Sequence, residues 1–323
     1  MKRYLFVLLG ISMGFLLVSC ENDESSSTGF DSDWSRSSEN PVLRDLIPTE
    51  NYQAASDPHV FYDEAGALNM IYTGDVDGVA SIKLAKSMNF TDWQKQNELL
   101  FEIGPSGKDV NKETAFYRRA SNGKHQIYYI GYADEASYQS EVYLAEADEL
   151  TGPYIQMEFP VVPRGNLAGK EVYLITSPSV VEHQGQLYIT FIGWNNSPNE
   201  VTEVWVIGAI SKDEGHTWEE YQLVDARIGM EGQVTKIGDN EFVAVRTGEF
   251  DDKEAIFYAT AAHPFGPWEE SPGPILVQED PTLEKDEIIA PQITIDQTTG
   301  DQYLYYTGAD YQVGWWIMMA RLN

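Results

Sequence analysis

SDPHVFYDEAGALNMIYTGD occupies residues 56–75. It opens on a small polar residue, an acid and a proline, then enters an apolar run. It turns through Glu-Ala-Gly and returns as an aromatic run that ends near a glycine. Two such runs around a short glycine turn make a β-hairpin. The pattern recurs as KETAFYRRASNGKHQIYYIGY (112–132), TSPSVVEHQGQLYITFIGWN (176–195), MEGQVTKIGDNEFVAVRTGE (230–249) and IAPQITIDQTTGDQYLYYTGAD (289–310). The opening residues Asp57, Glu113, Ser177, Glu231 and Ala290 are spaced by 56, 64, 54 and 59 residues. A period of that size marks a repeated supersecondary unit.

Each hairpin is followed by a third apolar run: SIKLAKS, EVYLAEA, VWVIGAIS, AIFYATA and WWIMMARL. After the first four, an aromatic opens a fourth: Trp93, Tyr154, Trp218 and Trp268. Four strands per unit and five units predict an all-β fold, a five-bladed β-propeller. The last unit reaches Asn323 with no chain left for its fourth strand. NPVL (40–43) matches the outer-strand patterns FPVV (159–162) and GPIL (273–276). The N-terminal segment is therefore expected to supply the outer strand of blade five and close the ring without a free edge.

SKDEGHTW (211–218) has the Ser-x-Asp-x-Gly-x-Thr-Trp pattern that resembles the Asp-box of bacterial sialidases. In the blade register it is the turn between the third and fourth strands of blade three. Its counterparts are SMNFTDW (87–93), ADELTGPY (147–154) and AHPFGPW (262–268). Its Asp213 and Gly215 supply turn chemistry.

The N-terminus reads MKRYLFVLLGISMGFLLVSC. Lys2 and Arg3 precede an apolar run that is too short for a membrane-spanning helix and reads as an export signal, residues 1–20. LVSC resembles the lipobox of bacterial lipoproteins, with Cys20, the only cysteine, as the lipid-bearing residue. Residues 21–39 read as an acidic flexible tether, and 40–323 as the propeller. The acidic run after Cys20 resembles surface-export signals of Bacteroidota lipoproteins. The expectation is an exported lipoprotein of the outer membrane facing the exterior, monomeric and held by its lipid alone. A formal net charge of −30 argues against nucleic acid as a partner.

Neighbouring antiparallel strands reverse direction. The starts of the inner strands, the ends of the second strands and the long connections between blades therefore share one face. Asp57, Glu113, Ser177, Glu231 and Ala290 should ring the mouth of the central channel. Asp75, Tyr132, Trp194 and Glu249, which follow the second-strand glycines, should form its rim. Three carboxylates there can divide into a base and an acid, or instead hold strand-start amides or a cation. His59 should point deeper into the channel, toward water, a metal or packed neighbours. Arg246 stands where the other blades have an aromatic. A buried arginine needs an anion, with Glu231, Glu249 or a sugar carboxylate as candidates. Tyr132 and Trp194 suit stacking on sugar rings. No zinc-type cluster or phosphate loop is found.

Asp-Pro opening blade one and Glu-Gly at blade four resemble glycoside hydrolase family 43 over about residues 41–323. The resemblance implies that Asp57 is the general base and Glu231 the general acid of an inverting hydrolase acting on arabinofuranosides or xylosides. It implies no required cofactor, and it leaves a structural or channel calcium open. A third carboxylate opens blade three in that family. Here Ser177 stands in its place, so the third carboxylate is either moved to Glu113 or absent. The alternative is a surface glycan-binding propeller without catalysis. A sialidase ranks last, because sialidases look six-bladed and carry several Asp-boxes.

Overall fold

The computed structural model describes residues 33–323 apart from 49, 97–100, 102–106, 108, 134–137, 199 and 227–228. The export signal, Cys20 and residues 21–32 of the expected tether lie outside the described residues. No helix among the described residues is long and apolar enough to cross a membrane.

Among the described residues, five sheets, antiparallel but for one pairing in the fifth, form blades around one axis, and a two-stranded hairpin, Gly165–Leu167 with Lys170–Val172, lies outside them. Blade one runs outward through Ser56–Tyr62, Leu68–Val76, Val79–Ser87 and Trp93–Lys95. Blade two uses Asn111–Arg119, His125–Tyr132, Glu141–Ala147 and Ile155–Gln156. Blade three uses Leu174–His183, Gln186–Trp194, Val204–Ser211 and Glu219–Leu223. Blade four uses Gly232–Gly238, Glu241–Phe250 and Lys253–Ala261, with Glu269–Glu270 and Leu276–Val277 both on its outer edge. Blade five has Glu287–Ile295, Gln302–Asp310 and Gly314–Leu322.

The N-terminal segment completes blade five. Trp34–Arg36 pairs antiparallel with Ala320–Leu322, Leu43 bridges Ile317, and Tyr52–Ala54 runs parallel to Gly314 and Trp315. NPVL is thus only the second half of the outer strand. The first half starts at Trp34, ahead of the expected boundary at residue 40. Trp34 is the aromatic opener of this blade, matching Trp268 ahead of GPIL.

Both faces of each blade are buried, so successive side chains along one strand serve different neighbours. In blade two, Ile127 and Tyr129 pack with Ile71 and Ile82 of blade one. Tyr128, between them, packs with Ile189 and Phe191 of blade three. Val243 and Val245 of blade four join Ile288 and Leu304 of blade five. Tyr305 and Ile317 of blade five join Val60 and Met70 of blade one, closing the ring.

The repeated glycine has a steric cause. A Cβ on Gly131 would lie 2.7 Å from the Cβ of Asp109 and 2.8 Å from the ring of Tyr143. A Cβ on Gly74 would meet Lys83 at 2.6 Å and Asp45 at 3.1 Å. Asp45 and Asp109 belong to the connections that enter blades one and two. The glycines let each connection cross close over the second strand. Each incoming carboxylate is then latched by a tyrosine two residues before the glycine of its blade. Tyr72 Oη donates to Asp45 (3.3 Å), Tyr129 Oη to Asp109 (2.9 Å), and Tyr306 Oη to Glu284 (2.7 Å). The third or fourth strand adds Lys83 and Lys95, Gln156, or Arg36 respectively.

SKDEGHTW forms the expected turn of blade three. Asp213 accepts from Ser211 Oγ (2.8 Å), Thr217 N (2.9 Å) and Thr217 Oγ1 (2.7 Å). Trp218 packs edge-on to Tyr128 of blade two.

Candidate active site at the propeller mouth

The inner strands enter the channel through a β-bulge in four of five blades. Pairing shifts by one residue between Ser56 and His59, Glu113 and Phe116, Thr176 and Ser179, and Ile289 and Gln292. The bulged residues Asp57, Thr114, Ser177 and Ala290 have φ of 51°, 47°, 52° and 50°. Such left-handed conformations are uncommon for residues other than glycine. The register corrects one expectation: the counterpart of Asp57 in blade two is Thr114, and Glu113 matches Ser56. Blade four has no bulge at its entry. Gly232 pairs with Arg246 and Thr247 N donates to Glu231 O, so Glu231 is the counterpart of Glu113. The mouth therefore holds two tiers, with Asp57 on one and Glu113 and Glu231 on the other.

Asp57 is 7% exposed. Ser56 Oγ donates to its Oδ2 at 2.8 Å, and the Thr73 and Thr114 hydroxyls also bond the carboxyl. Its backbone N–H donates to Thr307 Oγ1 of blade five (3.0 Å), as Thr114 N donates to Thr73 Oγ1 (3.1 Å). Neighbouring blades thus hold the bulge. Burial raises the Asp57 pKa, and the three hydroxyls act against that rise.

Glu231 is 6% exposed, and its Oε2 is buried without a hydrogen-bond partner. Burial pushes its pKa well above the ordinary carboxylate range, and the charges of Asp57, Glu287, Glu113 and Glu254 push it further. Gly232 fixes the backbone beside it. A Cβ there would lie 2.1 Å from Val245 O, and Gly232 N donates to Ser177 Oγ (3.2 Å). Ser177, 3% exposed, thus holds the chain that carries Glu231.

Glu113 accepts from Tyr132 Oη (2.8 Å) and Tyr138 Oη (2.7 Å), one on each oxygen. Tyr132, expected as an exposed stacking ring, is 1% exposed and serves as this donor. Trp194 is also no rim ring. At 2% exposed it packs with Leu174, Ile192 and Val201, because its strand continues past Gly193 beneath a covering loop. His59 Nδ1 bonds Gln233 Oε1 across the channel (2.9 Å), and its ring lies 4.1 Å from that of Phe116. Burial lowers its pKa to about 4, so it is a neutral, packed histidine near pH 7.

The structure places the remaining expected residues away from the centre. Asp75 accepts from Gly78 N in a turn (3.0 Å). Glu249 is exposed, with its Cα opposite Glu254. Arg246 faces neither Glu231 nor Glu249. It lies 5.9 Å from the Trp268 ring and feels Glu270, and burial lowers its pKa to about 10. It stands at the latch position of Tyr72, Tyr129 and Tyr306. Glu270 stands at that of Lys95, Gln156 and Arg36, so blade four carries the latch charges reversed.

Three residues went unnoticed in the sequence. Tyr138 comes from the loop after Tyr132. Glu287, 4% exposed, starts the inner strand of blade five, three residues ahead of the repeat's opening position. Glu254, on the third strand of blade four, accepts from Ile288 N (2.7 Å). Its pKa is pushed up to about 7 by burial and by Glu249, with the Ile288 N–H acting against the rise. Among the described residues no group of three or more His, Cys, Asp or Glu side chains is arranged to hold a metal ion.

Fold and site together define a five-bladed propeller with buried carboxylates converging on one channel mouth. The model of the glycosyl hydrolases family 43 matches residues 40–317, and the chain belongs to that family. It is a glycosidase, and its substrate is a carbohydrate. No curated protein matches the chain. Among solved structures it is similar to an endo-arabinase from Bacteroides thetaiotaomicron, with 12% identity, TM-score 0.63, and coverage of 85% of this chain and 96% of that one. It is similar to a GH43_1 enzyme from Xanthomonas citri complexed with xylose (17%, TM-score 0.62, 87% and 88% covered). It is also similar to an α-L-arabinofuranosidase from Podospora anserina in complex with cellotriose (11%, TM-score 0.64, 90% and 97% covered). At these identities the similarity concerns the fold.

Proposed function

We propose that the protein hydrolyses arabinofuranosidic or xylosidic bonds of an oligo- or polysaccharide with inversion. Asp57 activates the attacking water and Glu231 protonates the departing oxygen. The observation that carries this reading is the contrast between two buried carboxyls at one mouth. Asp57 receives three hydroxyl bonds that favour its charged form. Glu231 has an unpartnered Oε2 and four acidic neighbours that favour its neutral form. Environments that separate two carboxyls in this way assign base and acid. Tyr132 and Tyr138 hold Glu113 beside the acid, where its charge helps to keep the proton on Glu231.

The test is turnover of aryl and natural arabinosides and xylosides. Asp57→Asn should abolish hydrolysis of both. Glu231→Gln should lose natural glycosides and retain part of its rate on aryl glycosides, whose leaving groups need no proton. Proton NMR of the first-released anomer reads the stereochemistry. A wild-type protein that binds these glycans and cleaves none would favour the non-catalytic reading, for which Ser177 is the supporting feature. Export and anchoring through Cys20 are part of the same proposal. Radiolabelled palmitate incorporation that survives Cys20→Ala would sink the anchor.

A further inference from the structure

The mechanism above leaves one buried acid without a task. Glu287 stands at the blade-five side of the mouth with its Cα opposite Ala309. Tyr311 and Trp315 hydrogen-bond its carboxyl, yet Oε2 is buried and has no partner. It lies within electrostatic reach of Asp57, Glu231 and Glu254. The N-terminal segment brings a second orphan beside it. Tyr52 packs its ring edge-on to Trp315 (5.7 Å, 82°) and senses the charge of Glu287, and its hydroxyl is buried without a partner. Glu231 Oε2 and Thr247 Oγ1 are further unpartnered buried atoms on the blade-four side.

Buried polar atoms are almost always satisfied by protein, water or ligand. Here three unpartnered atoms, on Glu287, Tyr52 and Thr247, accompany the unpartnered Oε2 of Glu231. Burial, with the charge of Glu254, pushes the Glu287 pKa well above the ordinary carboxylate range, so its carboxyl can donate to or accept from a hydroxyl. Tyr52 and Thr247 can each donate or accept. Trp315 and Tyr311 add partly exposed aromatic surface of the kind that packs on sugar rings. A glycosyl unit presents both needed features: hydroxyls on its rim and C–H groups on its faces. A uronic acid would bring its negative charge against Asp57 and Glu113 in a mouth already crowded with acids.

We propose that Glu287, with Tyr52, Tyr311 and Trp315, forms a sugar subsite adjoining Asp57 and Glu231, and that Glu287 selects a neutral glycosyl unit by hydrogen-bonding one of its hydroxyls. The proposal rests on the glycosidase reading of that pair. Glu287 touches substrate here and takes no part in the proton transfers.

The experiment measures calorimetric binding of arabinotriose, xylotriose and their single-deoxy analogues. It uses Glu231→Gln protein with and without Glu287→Gln, and again with Tyr52→Phe, which removes only a hydroxyl. Glu287→Gln should weaken one of the trisaccharides about fivefold, as expected for an ordinary buried hydrogen bond. The analogue lacking the contacted hydroxyl should bind both proteins equally. Tyr52→Phe should weaken the same trisaccharide by a smaller factor and leave the fold intact. Unchanged affinities in both variants, with wild-type hydrolysis intact, would overturn the subsite and spare the hydrolase. Trisaccharide binding that depends on Glu287, with no hydrolysis by wild type, would overturn the hydrolase and spare the subsite. Equal loss for every deoxy analogue would also overturn it, because a hydroxyl-specific contact cannot produce that result.

Discussion

Removing Arg36 tests how the ring is closed. Arg36 donates through Nε (2.7 Å) and Nη2 (2.8 Å) to the two oxygens of Glu284 and through Nη2 to Val277 O (2.6 Å). The Glu284 side chain is fully buried, and Arg36 is 23% exposed. Breaking a buried pair costs about 3–5 kcal/mol, because the remaining charge is left in a poor solvent. Glu284 keeps the Tyr306 hydroxyl and the Glu279 and Asp280 N–H groups, which points to the lower end. Arg36→Ala should therefore lose about 3 kcal/mol, a fall in Tm of about 6–12 °C for a domain of this size. The pH dependence gives an independent check. Arg36 and the other donors hold the Glu284 pKa below its ordinary value against the opposing effect of burial. A depressed carboxyl stabilises the fold above its unfolded pKa, and that gain is lost as pH falls through the folded value. The gap between wild type and Arg36→Ala should be full near pH 7 and shrink in acid. Differential scanning calorimetry at a series of pH values reads both quantities. A Tm within about 2 °C of wild type at pH 7 would refute the closure, as would a gap that widens on acidification.

Other consequences follow from the same geometry. As the proposed acid, Glu231 must be protonated to act, so kcat/KM should fall as pH rises through its raised pKa. Glu113→Gln removes one of the charges that raise it. The alkaline limb should then move to lower pH, and a pH–rate profile with an unmoved limb would count against the assignment. Gly131→Ala forces a methyl group against Asp109 and Tyr143 and should destabilise by about 1–3 kcal/mol in urea unfolding. Thr114→Val removes one hydroxyl from Asp57 while keeping its shape. The acid limb of the profile should move to higher pH, because the charged form of the proposed base loses a donor.

Much of this architecture was readable in the sequence because two-residue alternation and glycine-ended aromatic runs are properties of single strands. The register inside the mouth was not. A β-bulge adds one residue and turns every later side chain to the other face. KETAF therefore reads as presenting Glu113 in the place of Asp57, whereas Thr114 stands there. The signal was present: proline follows the bulged residue in Asp57-Pro58, Ser177-Pro178 and Ala290-Pro291, and Ala115 follows Thr114 in the same frame. The outer strand of blade five was legible at NPVL and missed at Trp34, although an aromatic opens the other four. Glu287 and Glu254 carried no local signal. They lie outside the repeat's opening positions and meet only when blades four and five pack. The rim aromatics failed for a related reason, since exposure depends on covering loops that the strand pattern does not reveal.

The reversed latch explains why blade four can carry the proposed acid. In blades one, two and five, a loop carboxylate is inserted between a second-strand tyrosine and an outer-strand donor. In blade four, Arg246 and Glu270 supply both charges from within the sheet, and no carboxylate from the incoming loop is part of the described arrangement. That loop is the short one, entering from Leu223 to Gly232. Gly232 then takes the space that a bulged pair fills in the other blades. Its Cα is pressed so close to Arg246 that a Cβ would lie 2.7 Å from the arginine Cγ. The Glu-Gly pair is thus one device. The Val245 carbonyl requires the glycine, because a Cβ would lie 2.1 Å from it; the glycine stands in place of the bulge, and the missing bulge puts Glu231 on the tier of Glu113, where burial and its acidic neighbours raise its pKa. Asp57 stands on a bulge in the next blade of the ring but one, on the other tier, with hydroxyls around it. On the proposed mechanism, the difference between acid and base is therefore set by backbone register before any side-chain chemistry acts.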